Sequence, residues 1–271
     1  MNQEKDYVLG THNEELERLG LQHRVWRPRM LDAWRRAGFT VGKTILDVGC
    51  GPGFAAMDLA EIVGPTGRVI ALDRSRRFLD ALAARCDRDH LTQVDARLID
   101  LEETEWNIQN VEGAWGRWVF CFLRRPREVL ARLTASLRRG GVLVLHEYFD
   151  YATWRMAPRC PELEEFVGAV MQSWRAEGGE PDIALEIPRW LGELGFDIQS
   201  VKPIVDVVPP SSYVWQWPRS FLDVGLRRLV DIGRVPQQRA AEIRQAVAAR
   251  ESDAHTVMFT PAVLEIIAIK Q

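Results

Sequence analysis

The chain has 271 residues, 46% apolar and 27% charged, a balance that excludes global disorder and allows one large elaborated domain. Its 35 basic and 38 acidic residues leave a formal net charge of −3, too near neutral for a general binder of nucleic acid or anionic membrane.

In chain order, Glu15, Leu19 and Gln22 recur at helical spacing, and the arginines between Arg24 and Arg36 read as a solvated helix face and connector. From Thr44 onward, short Val/Ile/Leu runs alternate with segments of helical period, the pattern of βα units around a mostly parallel sheet. Strands are predicted at 44–48, 68–72, within 91–98, at 113–118 and at 142–145. Helices are predicted over 54–63, 76–85 and 126–137, the first stopped by Gly64-Pro65 and the last by Gly140-Gly141. After Tyr148 the alternation breaks. Helices over 161–177 and 188–194, a strand over 197–208, and helices over 218–232 and 236–250 precede a final strand at 262–270.

The strongest motif is Leu46-Asp47-Val48-Gly49-Cys50-Gly51-Pro52-Gly53, between a strand and a helix. Glycines at 49, 51 and 53 let the backbone turn tightly and approach a ligand. The spacing is G-x-G-x-G, with Phe54 where the dinucleotide fingerprint needs its third glycine, so a pyrophosphate site is disfavoured. Twenty residues beyond Gly53, Asp73 ends the second strand, where a carboxylate accepts hydrogen bonds from a ribose. Asp47 adds negative charge that suits a cationic ligand and repels phosphate. S-adenosylmethionine, with a ribose, a sulfonium, an ammonium and no phosphate, satisfies all three features.

At these residues the chain resembles the class I S-adenosylmethionine-dependent methyltransferases, and within them the small-molecule group related to ubiquinone/menaquinone C-methyltransferases. The subgroup likeness rests on the turn Leu137-Arg138-Arg139-Gly140-Gly141-Val142 into the fifth strand. The resemblance covers roughly residues 40–147. It implies an α/β, Rossmann-like fold with a seven-stranded, mostly parallel sheet, an antiparallel last strand, helices on both faces and helical lid insertions at 149–186 and 209–260. Residues 1–38 are expected to form an N-terminal lid helix, and the whole chain a single methyltransferase domain. The implied cofactor residues are Asp47, Gly49, Cys50, Gly51, Gly53, Asp73, Arg74 and Arg117. Asp100 and Leu101 are placed at the adenine, with Asp95 as an alternative, because periodicity leaves the register of 91–103 open. From the lid segment, Tyr7 and Gln22 are assigned to the cofactor and His23 to the substrate.

Residues after the fourth and fifth strands face the transferring methyl in this architecture. His146, whose ordinary pKa suits a base at neutral pH, and Glu147 are therefore the candidate catalytic pair, and the competing reading of each is structural. Ten tryptophans are many for this length; Trp118, Trp154 and Trp215, together with Trp217, are candidates for an aromatic-walled acceptor pocket, whereas Trp174 and Trp190 read as core anchors. The stretch Gly116-Arg117-Trp118-Val119 lacks the Asn/Asp-Pro-Pro-Tyr/Phe signature of enzymes that methylate DNA amines or protein amides.

The four cysteines lie at least 35 residues apart, with no zinc or disulfide spacing, so no metal is expected and a reducing cytoplasm is. A polar Met1 to Gly10 and the absence of any run near about 18 apolar residues predict a soluble, untargeted protein. The expected function is methyl transfer to a small or medium-sized organic acceptor, with no nucleic-acid or membrane partner; a homodimer is left open. The alternatives are an RNA methyltransferase using the Arg24 to Arg36 segment, and a cofactor-binding protein of this fold without transfer activity.

Overall fold

A computed structural model describes residues 13–271. The first element is a long helix, α1 (Asn13–Arg36). The alternating units follow: β1 (Thr44–Val48), α2 (Phe54–Val63), β2 (Arg68–Asp73), α3 (Arg76–Asp89), β3 (Val94–Leu98), β4 (Val111–Arg117), α4 (Pro126–Ser136) and β5 (Leu137–Asp150). Apolar runs such as Ile45, Leu46 and Val48 in β1 and Val69 to Leu72 in β2 are buried, because helices cover both faces of a parallel sheet. α3 starts where expected: the Ser75 hydroxyl accepts the Phe78 N–H, an N-cap.

The second half supplies β6 (Arg155–Ala157), α5 (Pro161–Ala176), α6 (Ile187–Glu193), β7 (Phe196–Ile204), β8 (Val207–Val208), α7 (Gln216–Asp231), α8 (Gln237–Glu251), β9 (Val257–Phe259) and β10 (Ala262–Lys270). The main sheet has seven strands in the order β3-β2-β1-β4-β5-β10-β7. β1, β2, β3, β4 and β5 pair in parallel, and β10 lies antiparallel between β5 and β7. The expected doubly wound sheet with an antiparallel final strand is what forms.

Two local expectations are corrected. The Gly140-Gly141 pair does not stop α4, which ends at Ser136; Leu137 is already extended and Gly140, at φ +73°, lies inside a much longer β5. The strand expected over 197–208 breaks after Ile204, and its remainder, β8, joins a separate three-stranded sheet, β6-β9-β8. Strands of two or three residues are too short for a period-two pattern to register. Among the described residues no helix is long and apolar enough to cross a membrane.

Candidate active site

The cleft opens at the carboxyl ends of β1, β2 and β4, where the sheet order reverses, the place such sheets bind ligands. Its floor is the glycine turn after β1. Cys50 N–H donates to the Leu72 carbonyl (2.9 Å) and Gly53 N–H to the Cys50 carbonyl (3.0 Å). All three glycines have positive φ, for different reasons. A Cβ at Gly49 would lie 2.6 Å from Val119 and one at Gly53 2.3 Å from Leu82, whereas one at Gly51 meets nothing within 4 Å. Gly49 and Gly53 let protein pack against protein; Gly51 presents bare backbone to the cleft.

Asp73 ties this turn to the end of β2. Its Oδ2 accepts the Gly51 N–H and its Oδ1 the Ser75 N–H, both at 2.8 Å. Each oxygen keeps acceptor capacity toward the cleft. Burial raises its pKa, and the two amides oppose that rise. Asp47 is 2% exposed and its Oδ2 has no hydrogen-bond partner; burial pushes its pKa up to about 7. Arg117, at the end of β4, lines the same cleft, and burial lowers its pKa to about 10 while the Asp47 charge acts against that shift. An orphaned carboxylate oxygen buried in a cleft is costly without a donor or cation to meet it.

Of the residues named from sequence, Asp47, Gly49, Cys50, Gly51, Asp73, Arg74, Asp100, Leu101, Arg117, Trp118 and Gln22 line this cleft. Gly53 stands behind it, packed on Leu82. Asp95 does not reach the cleft. It pairs with Arg68 (2.6 Å) and Arg97 (2.7 Å), which leaves Asp100, whose Oδ1 accepts the Glu102 N–H at 3.0 Å. Tyr7 lies outside the described residues.

A second, aromatic chamber adjoins the cleft and shares Gln22, Trp118 and Phe122 with it. Its other walls include Tyr148, Tyr151, Trp154, Trp174, Trp217 and Phe221. Trp118 lies parallel to Tyr148 and to Trp217, at centroid distances of 5.2 and 5.3 Å. One cation faces in: Arg18, gripped by Glu15 through two bonds of 2.7 and 2.6 Å and donating to Gln22 Oε1 at 3.0 Å.

The catalytic pair read from sequence is corrected. His146 is 0% exposed and lines neither cavity. The register sets it opposite Glu265 of β10, whose Oε2 lies 3.2 Å from His146 Nε2, and Arg36 holds the other oxygen of Glu265. Rings of Trp115 and Trp26 close around it, and burial lowers its pKa. Glu147, also 0% exposed, turns toward the loop after β4 and accepts its Val119 and Phe120 amides. His146→Ala should therefore cost about 2–4 kcal/mol of stability, as for a buried, hydrogen-bonded group, and leave affinity for S-adenosylhomocysteine within about twofold. Denaturant unfolding beside calorimetric titration checks this, and a large loss of affinity at unchanged stability would return His146 to the site.

Two substrate assignments, His23 of the lid segment and Trp215 of the aromatic pocket, are also corrected. His23 points away from both cavities, with Nε2 3.1 Å from Asp58 and its ring stacked on Phe54; its neighbour Gln22, about 100° around the helix, points in. Trp215 is fully buried and donates to Glu251 at 2.9 Å, while Trp217, two residues on, takes the chamber wall. Sequence reasoning missed Tyr148 and Tyr151 and read Trp174 as core. It gave Arg18 no part, although the Glu15-x-x-Arg18 spacing marks an (i, i+3) ion pair.

The doubly wound sheet with its antiparallel β10, and the glycine cradle joined to Asp73, are similar to the core of the class I S-adenosylmethionine-dependent methyltransferases. Residues 45–141 match the family described as a methyltransferase domain. The chain is 37% identical over 129 residues to a 2-phytyl-1,4-naphtoquinone methyltransferase of Trichormus variabilis, covering 46% of this chain and 55% of that protein. The match thus spans about half of that relative's length. Among solved structures, a protein of Bacillus halodurans C-125 superposes with TM-score 0.62 at 16% identity, covering 89% of this chain and 97% of that one. The [4+2]-cyclase SpnF superposes with TM-score 0.54 at 20% identity, covering 89% and 80%; likeness at these identities shows the fold alone.

Proposed function

We propose that this protein transfers a methyl group from S-adenosylmethionine to a flat, conjugated small-molecule acceptor seated in the aromatic chamber. The observation that carries this reading is the cradle. Gly51 leaves open space beside Asp73, and the unpartnered Asp47 oxygen waits for a donor or cation. The residues fit a ligand with a ribose and a positive charge and without phosphate. Asp73 would hold the ribose hydroxyls, Asp100 and Leu101 would flank the adenine, and the 49–53 turn with Asp47 would receive the methionine end. Bound there, the cofactor supplies an electrophilic methyl group on a sulfonium that is its own leaving group.

The chain's part is then to orient and to exclude water. Trp118, Trp217 and Tyr148 offer flat faces that suit a conjugated ring, in keeping with the quinone named for the Trichormus relative. The protonated Tyr148 and Tyr151 hydroxyls, whose pKa burial raises, and the Arg18–Gln22 pair give polar contacts to an acceptor oxygen. We assign α1 and the 149–186 and 209–260 insertions as the lid within one domain. The four free, buried cysteines support a reducing, cytoplasmic setting. The arginines of 24–36 support no RNA surface: Arg27 pairs with Asp58, Arg29 with Asp206, and Arg35 and Arg36 with Asp32.

One observation favours a second reading. Among the described residues the chamber lining contains no histidine or carboxylate side chain, and Glu15 beside it is spent on Arg18. A reaction aided by the cofactor's charge without transfer needs no base, and the same fold carries a cyclase. Appearance of S-adenosylhomocysteine with a quinol acceptor supports transfer; turnover of the acceptor without it overturns transfer in favour of the second reading.

A pH dependence follows from Asp47. Its pKa is raised from 3.8 to about 7 by burial, so the protonated acid is favoured in the folded chain. This group's contribution to stability is full below about pH 4 and is lost as pH rises through 7. A cationic ligand reverses the preference, so affinity for S-adenosylmethionine should rise several-fold between about pH 6 and 7.5 with release of a proton. Calorimetry in two buffers of different ionisation enthalpy reads that proton. Asp47→Asn should flatten the profile, and an unaltered profile in this variant would remove Asp47 from the methionine end.

A further inference from the structure

The loop after β4 holds a backbone strain that no glycine relieves. Trp118 sits at φ +51°, in the left-handed region that costs a residue with a side chain about 1–2 kcal/mol, so something must hold it there. The holding comes from three consecutive residues of β5. Trp118 N–H donates to the His146 carbonyl at 2.9 Å. The next two amides, Val119 and Phe120, both donate to Glu147 Oε1, at 2.7 and 2.9 Å. The third residue, Tyr148, lays its ring parallel to that of Trp118. Successive N–H groups converging on one carboxylate oxygen form an anion nest.

Glu147 touches neither cavity, and the groups facing its carboxylate are these amides together with the amide and thiol of Cys121. Among the described residues no cation pairs with it, so a buried carboxylate that only filled space would cost stability for nothing in return. What it fixes is Trp118, one of the residues common to both cavities. We propose that Glu147 is a positioning residue whose carboxylate clamps the loop after β4, so that Trp118 stands as the partition between the cofactor cleft and the aromatic chamber. Val119, set by the same clamp, closes on Gly49 from the other side, so one buried group registers the glycine turn and the chamber wall together. The partition's role rests on the proposed cofactor reading; the clamp itself does not.

The test compares Glu147→Ala, which removes the acceptor, with Glu147→Gln, whose amide carbonyl reaches the same place. Hydrogen exchange reads the clamp without any ligand. In Glu147→Ala, peptides covering 118–122 should exchange at least about tenfold faster while those from the centres of β1 and β2 keep their protection, and Kd for S-adenosylhomocysteine should rise about tenfold. Glu147→Gln should restore both to within about twofold. Unchanged exchange of 118–122 in a folded Glu147→Ala, or a Gln variant that behaves like Ala, overturns the proposal. Should the Ala variant fail to fold, Glu147→Asp replaces it: its carboxylate falls one methylene short, so loop protection should drop in Asp and hold in Gln, and protection retained in both overturns the clamp. A wild-type chain that does not bind S-adenosylhomocysteine sinks the cofactor reading, and the exchange arm still decides the clamp.

Discussion

Replacing Asp73 with alanine is expected to weaken S-adenosylhomocysteine binding by about 3 kcal/mol, roughly a hundredfold. Two losses combine. The carboxylate is the proposed acceptor for the ribose hydroxyls, and it also holds the Gly51 and Ser75 amides that shape the turn. Hydrogen bonds to a charged group are worth about 1.5–3 kcal/mol, and buried donors left without a partner add their own cost. Asp73→Asn keeps one acceptor oxygen and should fall between the alanine variant and the wild type. Calorimetric titration decides the matter: an affinity unchanged in Asp73→Ala would mean the ligand lies elsewhere, and the cofactor reading would fall with it.

The second large effect separates the glycines of the same turn. Gly53→Ala should cost about 3 kcal/mol of stability, because a methyl group at φ +81° meets Leu82 at 2.3 Å and adds overpacking of about 1–3 kcal/mol to left-handed strain of about 1–2 kcal/mol. Gly51→Ala meets no atom within 4 Å, so only the strain of about 1–2 kcal/mol remains. That variant should stay folded and lose ligand affinity, since its methyl group occupies the cleft. Chemical denaturation and titration of both variants check the split. Equal stability losses, or a Gly51→Ala that binds as well as wild type, would show that this position does not face the ligand.

Local patterns carried a good deal of this architecture. The glycine turn and Asp73 stand within one βα unit, so composition and spacing alone placed them, and the short apolar runs marked β1, β2 and β10. His146 shows where such reasoning ends. Its position at a strand end suggested a base, but its environment is set by Glu265, 119 positions later, and no local window contains that partner. Glu147 failed for a related reason: a strand alternates faces, and which face meets the cleft is decided by the packing of the following loop. Trp215 and Trp217 differ by two residues, and a single 3-10 turn, Tyr213–Trp215, ahead of α7 settles which one reaches the chamber. The Arg18–Glu15 pair was legible as an ion pair, but its inward direction depends on how α1 lies against α7, a tertiary fact.

The placement of β10 bears on how the molecule is made. Its nine residues are hydrogen-bonded to β5 on one side and β7 on the other, so until the ribosome has delivered residue 270 β5 stays bare along one margin and β7, the last strand of the sheet, has no partner in it. Unpaired margins of this kind are templates for wrong partners, and closing such distant pairings is slow. A chain halted at Thr260 would present these sticky borders at once, which makes premature termination here a route to aggregates rather than to a smaller folded protein.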